Sequence, residues 1–497
     1  MSPKCPVPPL QEITLSLVAR QLIHTLSQVT SEEDVALSFA MVSSYYENMG
    51  ATSDIFQDLM NLILNADYLD PSIRYYTMRL LLKENVKNLT TGMFPCPYYR
   101  KVLEVIEQQG RHLTALNLKG VWVKDEQLSL MYQIIKNLKH LTALNIPYMA
   151  NDEVLKFIGE HNNVLKLLDV SGETDITEIG IDAMLSGNPQ LAQSLSVVNI
   201  GMYGEENIDH TDIALLIRKL PNLTNLGSYS FVGKALYFVY NNDCPPNFKT
   251  KLQYVHDIGT NMRTMKAIVA LCPMMETIYL EEPDSGVLQL VKDLGIINKI
   301  KLNKFQCHEL HQLLDKIGYK IVTLMLSGSQ GSFNFTRIAE TCQNLESLEF
   351  YQIQTVTHEE EIPFNKLEHV EIIQGNLSAS CLRYLMTGSP KLKKIIIGDE
   401  VKLDDQDMAR MLRRYRFDNL EGIWFPNAPR LSRDTVELLM DCCPKLQSLG
   451  QLSGWRFTPD DMMLMRAIIA STNTDLVLSP LGIFQQGTCK YIKSYQI

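Results

Sequence analysis

His112-Leu113-Thr114-Ala115-Leu116-Asn117-Leu118 recurs almost unchanged as His140-Leu141-Thr142-Ala143-Leu144-Asn145-Ile146. Reduced to its apolar positions the stretch is L-x-x-L-x-L. That skeleton starts again at Leu165, Leu195, Leu223, Leu252, Met275, Ile297, Ile321, Leu345, Leu367, Leu392, Leu420 and Leu446, which makes fourteen starts in all. Three copies carry a polar residue in the last apolar slot: Ser228, Asp257 and Gln451. The closing L-x-L puts two apolar side chains on one face of a strand, with the residue between them on the other face. Asn117, Asn145, Asp169 and Asn199 hold the between position in the early copies.

Behind each strand motif the apolar spacing changes from two to that of a helix. Leu128, Met131, Ile135 and Leu138 make one such stripe, and Ile213, Leu216, Ile217 and Leu220 make another. Several units close on a Pro or Cys just ahead of the next strand, as in Leu220-Pro221, Cys272-Pro273, Cys342-Gln343-Asn344, Ser389-Pro390 and Cys443-Pro444. Proline stops a helix and favours an extended residue before it. A strand and a helix recurring every 26 residues or so is the period of a leucine-rich repeat. One such unit cannot bury its own apolar face, whereas a stack can. The predicted fold is therefore α/β: a leucine-rich-repeat solenoid of about fourteen repeats, with a curved parallel sheet and outer helices. It stands behind an all-helical N-terminal domain.

The rest of the chain fits around this array. Residues 1–9 read as a flexible, proline-rich lead. Residues 10–110 read as a helical domain or cap, with helix starts at Leu10, Thr30-Ser31-Glu32-Glu33, Ser53-Asp54 and Asp70-Pro71. The solenoid is expected over 111–480, with a closing strand at Asp475-Leu476-Val477-Leu478 and a C-terminal tail over 481–497.

Composition narrows the function classes. The 497 residues are 45% hydrophobic and 21% charged, enough to bury a large core, and the formal net charge is −10. With no long basic run, the chain is not expected to bind nucleic acid or an anionic membrane. No apolar run reaches the roughly 20 residues of a membrane span, and the N-terminus lacks the apolar segment of a signal peptide. A cytoplasmic or nuclear location follows, in which the ten cysteines are thiols. No Walker loop, G-x-G-x-x-G, H-E-x-x-H or G-x-S-x-G is present. Cys307-His308-Glu309-Leu310-His311 is the densest run of metal-capable groups, but a structural zinc site needs a second ligand pair and none stands out. The reading is of a non-catalytic protein with no cofactor and no metal.

A solenoid binds on its concave strand face. The between positions there include Tyr279, Lys301, Met325, Glu349, Glu371 and Trp424. Tyr279, Lys301, Glu349, Glu371 and Trp424 are the candidate residues for a protein partner, since aromatic side chains commonly anchor interfaces.

The array and its Cys-bearing junctions resemble the leucine-rich-repeat substrate receptors of cullin-type ubiquitin ligases, in the cysteine-containing subclass common among F-box proteins. The stretch Pro9-Leu10-Gln11-Glu12-Ile13-Thr14-Leu15-Ser16-Leu17-Val18 resembles the elongin-binding box of elongin–cullin receptors. On that resemblance Leu10, Thr14 and Val18 are the adaptor-binding residues, with Thr14 standing where the family has a Cys. Their i, i+4, i+8 spacing puts them near one helix stripe. An F-box would need a Leu-Pro start and a later Trp, and residues 1–110 contain no Trp. The resemblance implies an elongin C-type or F-box-type adaptor, a cullin, and a protein substrate on the concave face. The alternative is a scaffold or regulator that binds a protein with no ubiquitin-ligase link.

Overall fold

The computed structural model describes residues 3–479 apart from 5–8, 29–34, 38, 43, 45–52, 67, 85, 123–126, 173–174, 243–246, 354 and 360. The chain forms two compact units, residues 8–242 and residues 243–497 together with 1–7. Each contains a ladder of parallel strands taken in chain order.

All fourteen motif starts lead, two residues on, into a strand of these ladders, from Leu113 into Ala115–Asn117 to Leu446 into Ser448–Gly450. Two further strands extend the series, Asn88–Thr90 before it and Val477–Ser479 after it. Among the described residues, six ladder strands therefore lie in the unit of 8–242 and ten in the other. The reason is burial: Leu345, Leu348 and Phe350, the three skeleton positions of one repeat, are all at most 1% exposed. Backbone bonds join each repeat to the one before. The N–H groups of Thr142 and Ala143 converge on the Thr114 carbonyl (2.7 and 3.2 Å), and those of Lys166 and Leu167 on the Thr142 carbonyl (2.8 and 3.0 Å).

Strand Asn88–Thr90 lies inside the stretch expected to be wholly helical, so the ladder begins one strand before the first recognised motif. Its copy of the skeleton ends on Thr91, which is fully buried; its hydroxyl donates to the Asn117 carbonyl at 3.4 Å and so supplies its own polar partner. The three blemished motifs have two causes. In two of them the strand stops early, at Asn225–Gly227 and Ser448–Gly450, and Ser228 and Gln451 take left-handed torsions (φ 66° and 55°) outside the strand. Asp257 stays in its strand, buried, and accepts from the Thr260 hydroxyl at 2.7 Å.

The helices of the repeats start on polar caps that satisfy their free N–H groups. The Asn151 side chain accepts from Val154 N, and Asn261, Asp404 and Thr458 each form a reciprocal box with the residue three further on. Ahead of the ladder lie helix α1 (Leu10–Ser27) and helices Ser53–Leu64, Pro71–Leu81 and Tyr99–Gln109. Asp70 caps Pro71–Leu81 by accepting from Ser72 N at 2.8 Å, as the Asp-Pro signal implies. The Thr30-Ser31-Glu32-Glu33 start and the tail over 481–497 lie outside the described residues. In the segment read as a flexible lead, Lys4 bridges Thr474 antiparallel, and the Pro3 carbonyl accepts from Asp475 N at 2.7 Å.

Candidate functional site

The helices cover one side of each ladder, and the between positions face the other side. In the unit of 8–242 that row runs Asn117, Asn145, Asp169, Asn199, Gly227, each in register with the next. It is short and polar: Asn199 Nδ2 donates to Asp169 Oδ2 at 3.3 Å, and a Cβ on Gly227 would meet Asn199 Oδ1 at 2.2 Å.

The other unit carries the large side chains. Its row reads His256, Tyr279, Lys301, Met325, Glu349, Glu371, Ile396, Trp424, Gly450, again in strict register. All five candidate residues of the strand face fall on this row. Tyr279 and Glu371 are buried at 7% and 6% exposure, and Lys301, Glu349 and Trp424 are half-buried.

Three local arrangements shape the row. His256 stacks flat on Tyr279 (centroids 4.2 Å apart, 6° between planes), and its Nε2 lies 2.8 Å from Glu281 Oε1. Asn303 Nδ2 donates to the second oxygen of Glu281 at 3.0 Å. Burial holds the His256 pKa below the usual imidazole value against the pull of Glu281. In the middle, Glu349 and Glu371 sit side by side on neighbouring strands. The Tyr351 hydroxyl donates to Glu371 Oε1 at 2.9 Å, while Oε2 of both glutamates is buried without a hydrogen-bond partner. At the far end the Trp424 ring overlies Gly450, where a Cβ would come within 2.6 Å of it, and Lys394 Nζ lies 5.7 Å from the ring centroid.

His256, Glu281, Asn303 and Tyr351 were not among the candidates. His256 holds the between position of the Leu252 copy, whose last apolar slot carries Asp257. The other three lie two residues past a between position, on the same face by strand parity but outside the L-x-L frame.

Burial, then the neighbouring Glu371, push the Glu349 carboxyl up to about 7, with Lys301 opposing. An acid whose pKa is higher folded than unfolded binds its proton more tightly when folded. Its stabilising contribution is thus full below about pH 4.5 and is lost as pH rises through about 7. Glu349→Gln should therefore flatten the pH dependence of stability. The loss of unfolding free energy between pH 5 and 8, followed by urea denaturation and tryptophan fluorescence, should shrink by on the order of 2 kcal/mol. Equal losses in both proteins would refute the shift.

Glu309 accepts from Ser285 Oγ at 2.6 Å and from Gly286 N at 3.0 Å, which fastens the turn before the 3-10 segment Val287–Asp293. His311 leans on Phe333 at 5.5 Å between centroids. Among the described residues no group of three or more His, Cys, Asp or Glu is placed to hold a metal ion. The described cysteines form no disulfide, and burial pushes the Cys272, Cys342 and Cys443 thiols up to about 12, 11 and 12. Thiols so shifted are packing groups and poor nucleophiles at neutral pH. Among the described residues no helix is long and apolar enough to cross a membrane.

In α1, Leu10 and Thr14 are exposed and Val18 is half-buried. The Thr14 hydroxyl donates back to the Leu10 carbonyl at 2.7 Å, satisfying itself within the helix. Leu10, Ile13 and Leu17 are 79%, 39% and 58% exposed, whereas Ala19, Leu22 and Leu26 are buried.

No family model and no curated protein matches the chain. Among solved structures it is similar to the Rad7 and Elc1 complex of yeast, at 11% identity over 79% of this chain and 94% of that one, with a TM-score of 0.42. It is also similar to the leucine-rich repeat-containing protein LegL7 of Legionella pneumophila, at 13% identity over 66% and 96%, with a TM-score of 0.34. The leucine-rich-repeat assignment stands on the chain's own strand ladders and their skeleton.

Proposed function

We propose that this chain is a non-catalytic, cytoplasmic or nuclear protein-recognition subunit of a cullin-type ubiquitin ligase. In this reading α1 docks an elongin C-type adaptor and the strand face of residues 254–450 holds the protein substrate. The observation that carries it is the division of labour along α1. The helix is anchored by Ala19, Leu22 and Leu26, while its first turns leave Leu10, Ile13 and Leu17 exposed. Apolar residues three and four apart on an exposed helix make the stripe that enters a groove on a partner. A cap helix serving only the fold would bury that stripe. The competing reading is a scaffold that binds a protein on the same face without an adaptor.

One substitution separates the two readings. A leucine buried at a contact contributes about 1.5–3 kcal/mol, so Leu10→Asp should weaken capture of a purified elongin C-type adaptor at least tenfold. Because Leu10 is exposed, the melting temperature should stay within about a degree of wild type. Undiminished capture by the variant, or no capture by the wild-type chain, leaves the scaffold reading.

A further inference from the structure

In the unit of residues 8–242 the ladder row Thr90, Asn117, Asn145, Asp169, Asn199 is followed, three residues on, by a second row on the loops that leave the strands: Met93, Gly120, Tyr148, Gly172, Met202. Large side chains and glycines alternate in it, and the glycines are seats. A Cβ on Gly120 would lie 2.7 Å from Met93 Sδ, and one on Gly172 would collide with the Tyr148 ring. Met93 and Tyr148 therefore lie along the row over the next repeat, yet each stays more than half exposed. Trp122, also more than half exposed, leaves the Gly120 loop and meets Tyr99 edge-on at 6.4 Å. Tyr203 sits on the turn from Met202 to Glu205. Glu205 N donates to the Met202 carbonyl at 3.2 Å, and Gly204 N to Ser230 Oγ of the next repeat at 3.0 Å. The loops are bonded to one another as the strands are: Phe94 N donates to the Gly120 carbonyl, Tyr148 N to the Ser171 carbonyl and Gly172 N to the Gly201 carbonyl, at 3.2, 2.8 and 2.9 Å. The backbone at Gly120, Tyr148 and Gly172 is left-handed, with φ of 93°, 63° and 111°. Glycine takes that conformation freely and tyrosine does not. A third glycine would serve the fold; position 148 instead holds a strained backbone under an exposed ring, an arrangement that clusters at binding sites.

We infer that this row binds a proline-rich segment of a partner protein in the polyproline II conformation, with a basic residue at the end that meets Glu205. Spacing selects the conformation. The large members stand on alternate repeats, roughly 9.6 Å or two strand spacings apart. A polyproline II helix presents the same face every three residues, about 9.3 Å. Two α-helical turns rise about 10.8 Å and would slip by about 2.4 Å between Met93 and Met202. An extended strand repeats one face about every 6.7 Å, which falls between the seats. Exposed aromatic faces are the surface on which proline rings dock, and a preformed segment loses little entropy there. Charge selects the end. Glu206 pairs with Lys234, whereas Glu205, exposed and bridged to Met202, makes no ion pair among the described residues. Lys119, exposed on the Gly120 loop, disfavours a cation at the opposite end. The row uses neither α1 nor residues 254–450, so it stands or falls apart from the receptor reading.

The probe is a fluorescein-labelled peptide of nine prolines with one arginine, placed at either end because a polyproline II helix reads nearly alike in both directions. It is titrated into the full chain by fluorescence anisotropy, beside a glycine–serine peptide of the same length and charge and a helix-forming peptide with leucine at every seventh position. One of the two proline peptides should bind saturably, and both controls at least tenfold more weakly. The chain has three tryptophans, so an indole ¹H–¹⁵N spectrum locates the contact: the Trp122 resonance, assigned with Trp122→Phe, should shift while those of Trp424 and Trp455 stay in place. Tyr148→Gly should weaken binding about tenfold or more while melting no lower than wild type, because it removes the ring and relieves the backbone together. Met93→Gln, a change at an exposed side chain, should weaken binding at least threefold. Glu205→Gln should weaken the arginine peptide and leave its citrulline counterpart unchanged. Absence of binding by the wild-type chain, equal binding of the glycine–serine or helical peptide, or undiminished binding by Tyr148→Gly and Met93→Gln would overturn the inference. So would self-association of the chain that displaces the peptide, which would assign the row to a second copy.

Discussion

Phe350→Ala is expected to lower the stability of the 243–497 unit by about 3–5 kcal/mol. Phe350 is fully buried at the last apolar position of its motif. It meets Phe333 edge-on at 4.5 Å and stacks on Phe335 at 5.7 Å, and Phe335 in turn meets Phe364 edge-on at 6.4 Å. These rings come from two adjacent repeats, those starting at Ile321 and Leu345, so truncation opens a cavity at the interface through which neighbouring repeats support each other. Stability in a stack is roughly a sum of repeat and interface terms, and a lost interface divides it. Urea denaturation followed at Trp424 and Trp455 should show the fall. Trp122, in the other unit, provides an internal reference when the remaining tryptophans are replaced by Phe. Phe350→Leu, which keeps most of the volume, should cost less than half as much. A midpoint for Phe350→Ala within experimental error of wild type would mean that the aromatic cluster is not the keystone of this unit.

The second large effect is expected at Gly159, and its sign is the informative part. Helices Asp152–His161 and Glu178–Ser186 approach each other through glycines. A Cβ on Gly159 would lie 2.5 Å from the Met184 carbonyl oxygen, and one on Gly180 would lie 2.7 Å from Asp152 Cα. The obstructing atoms include backbone, so the helices themselves must separate. Separation would also strain Asp152, which accepts from Thr177 N and Thr177 Oγ1, both at 2.7 Å. Glycine to alanine inside an unobstructed helix gains about 1 kcal/mol. Here Gly159→Ala should destabilise instead, and Gly159→Leu should cost about 3 kcal/mol or more. Thermal unfolding of the two variants checks the order. A stabilised Gly159→Ala would show that the helices can part freely.

Fold and site differed in how far the sequence reveals them, and particular residues show why. An apolar skeleton is a parity rule, and parity carries straight into structure. Thus Leu113, Leu345 and Leu446 each announce a strand, and Tyr279, Glu349 and Trp424 fall on the opposite face from the core. Where parity was masked, elements were missed. Thr91 fills an apolar slot with a hydroxyl bonded across the ladder, which hid strand Asn88–Thr90. The short paired strands Ser332–Asn334 with Thr355–Thr357, and Ala428–Ser432 with Trp455–Arg456, carry no skeleton and were not foreseen. The partnerships on the face were illegible for another reason. His256 with Glu281, and Tyr351 with Glu371, join residues 25 and 20 positions apart, each unremarkable in its own repeat. Only the register between strands brings them together.

The ladder bonds also set a kinetic order. Register partners are separated by as few as 22 residues, as for Glu349 and Glu371, and by 30 for Asp169 and Asn199. Loop-closure entropy grows only with the logarithm of loop length, so each bond is closed at the cost of a loop of about 30 residues, however long the chain. Formation can begin at any repeat and spread to its neighbours. Among the described residues the longest-range contact lies far outside this range: the Pro3–Lys4 bridge to Thr474 and Asp475, where the Lys4 ammonium donates to the Thr472 carbonyl across 468 residues. In an unfolded chain that closure costs about 2 kcal/mol more than a ladder bond. That larger entropic cost makes this latch a late event in folding.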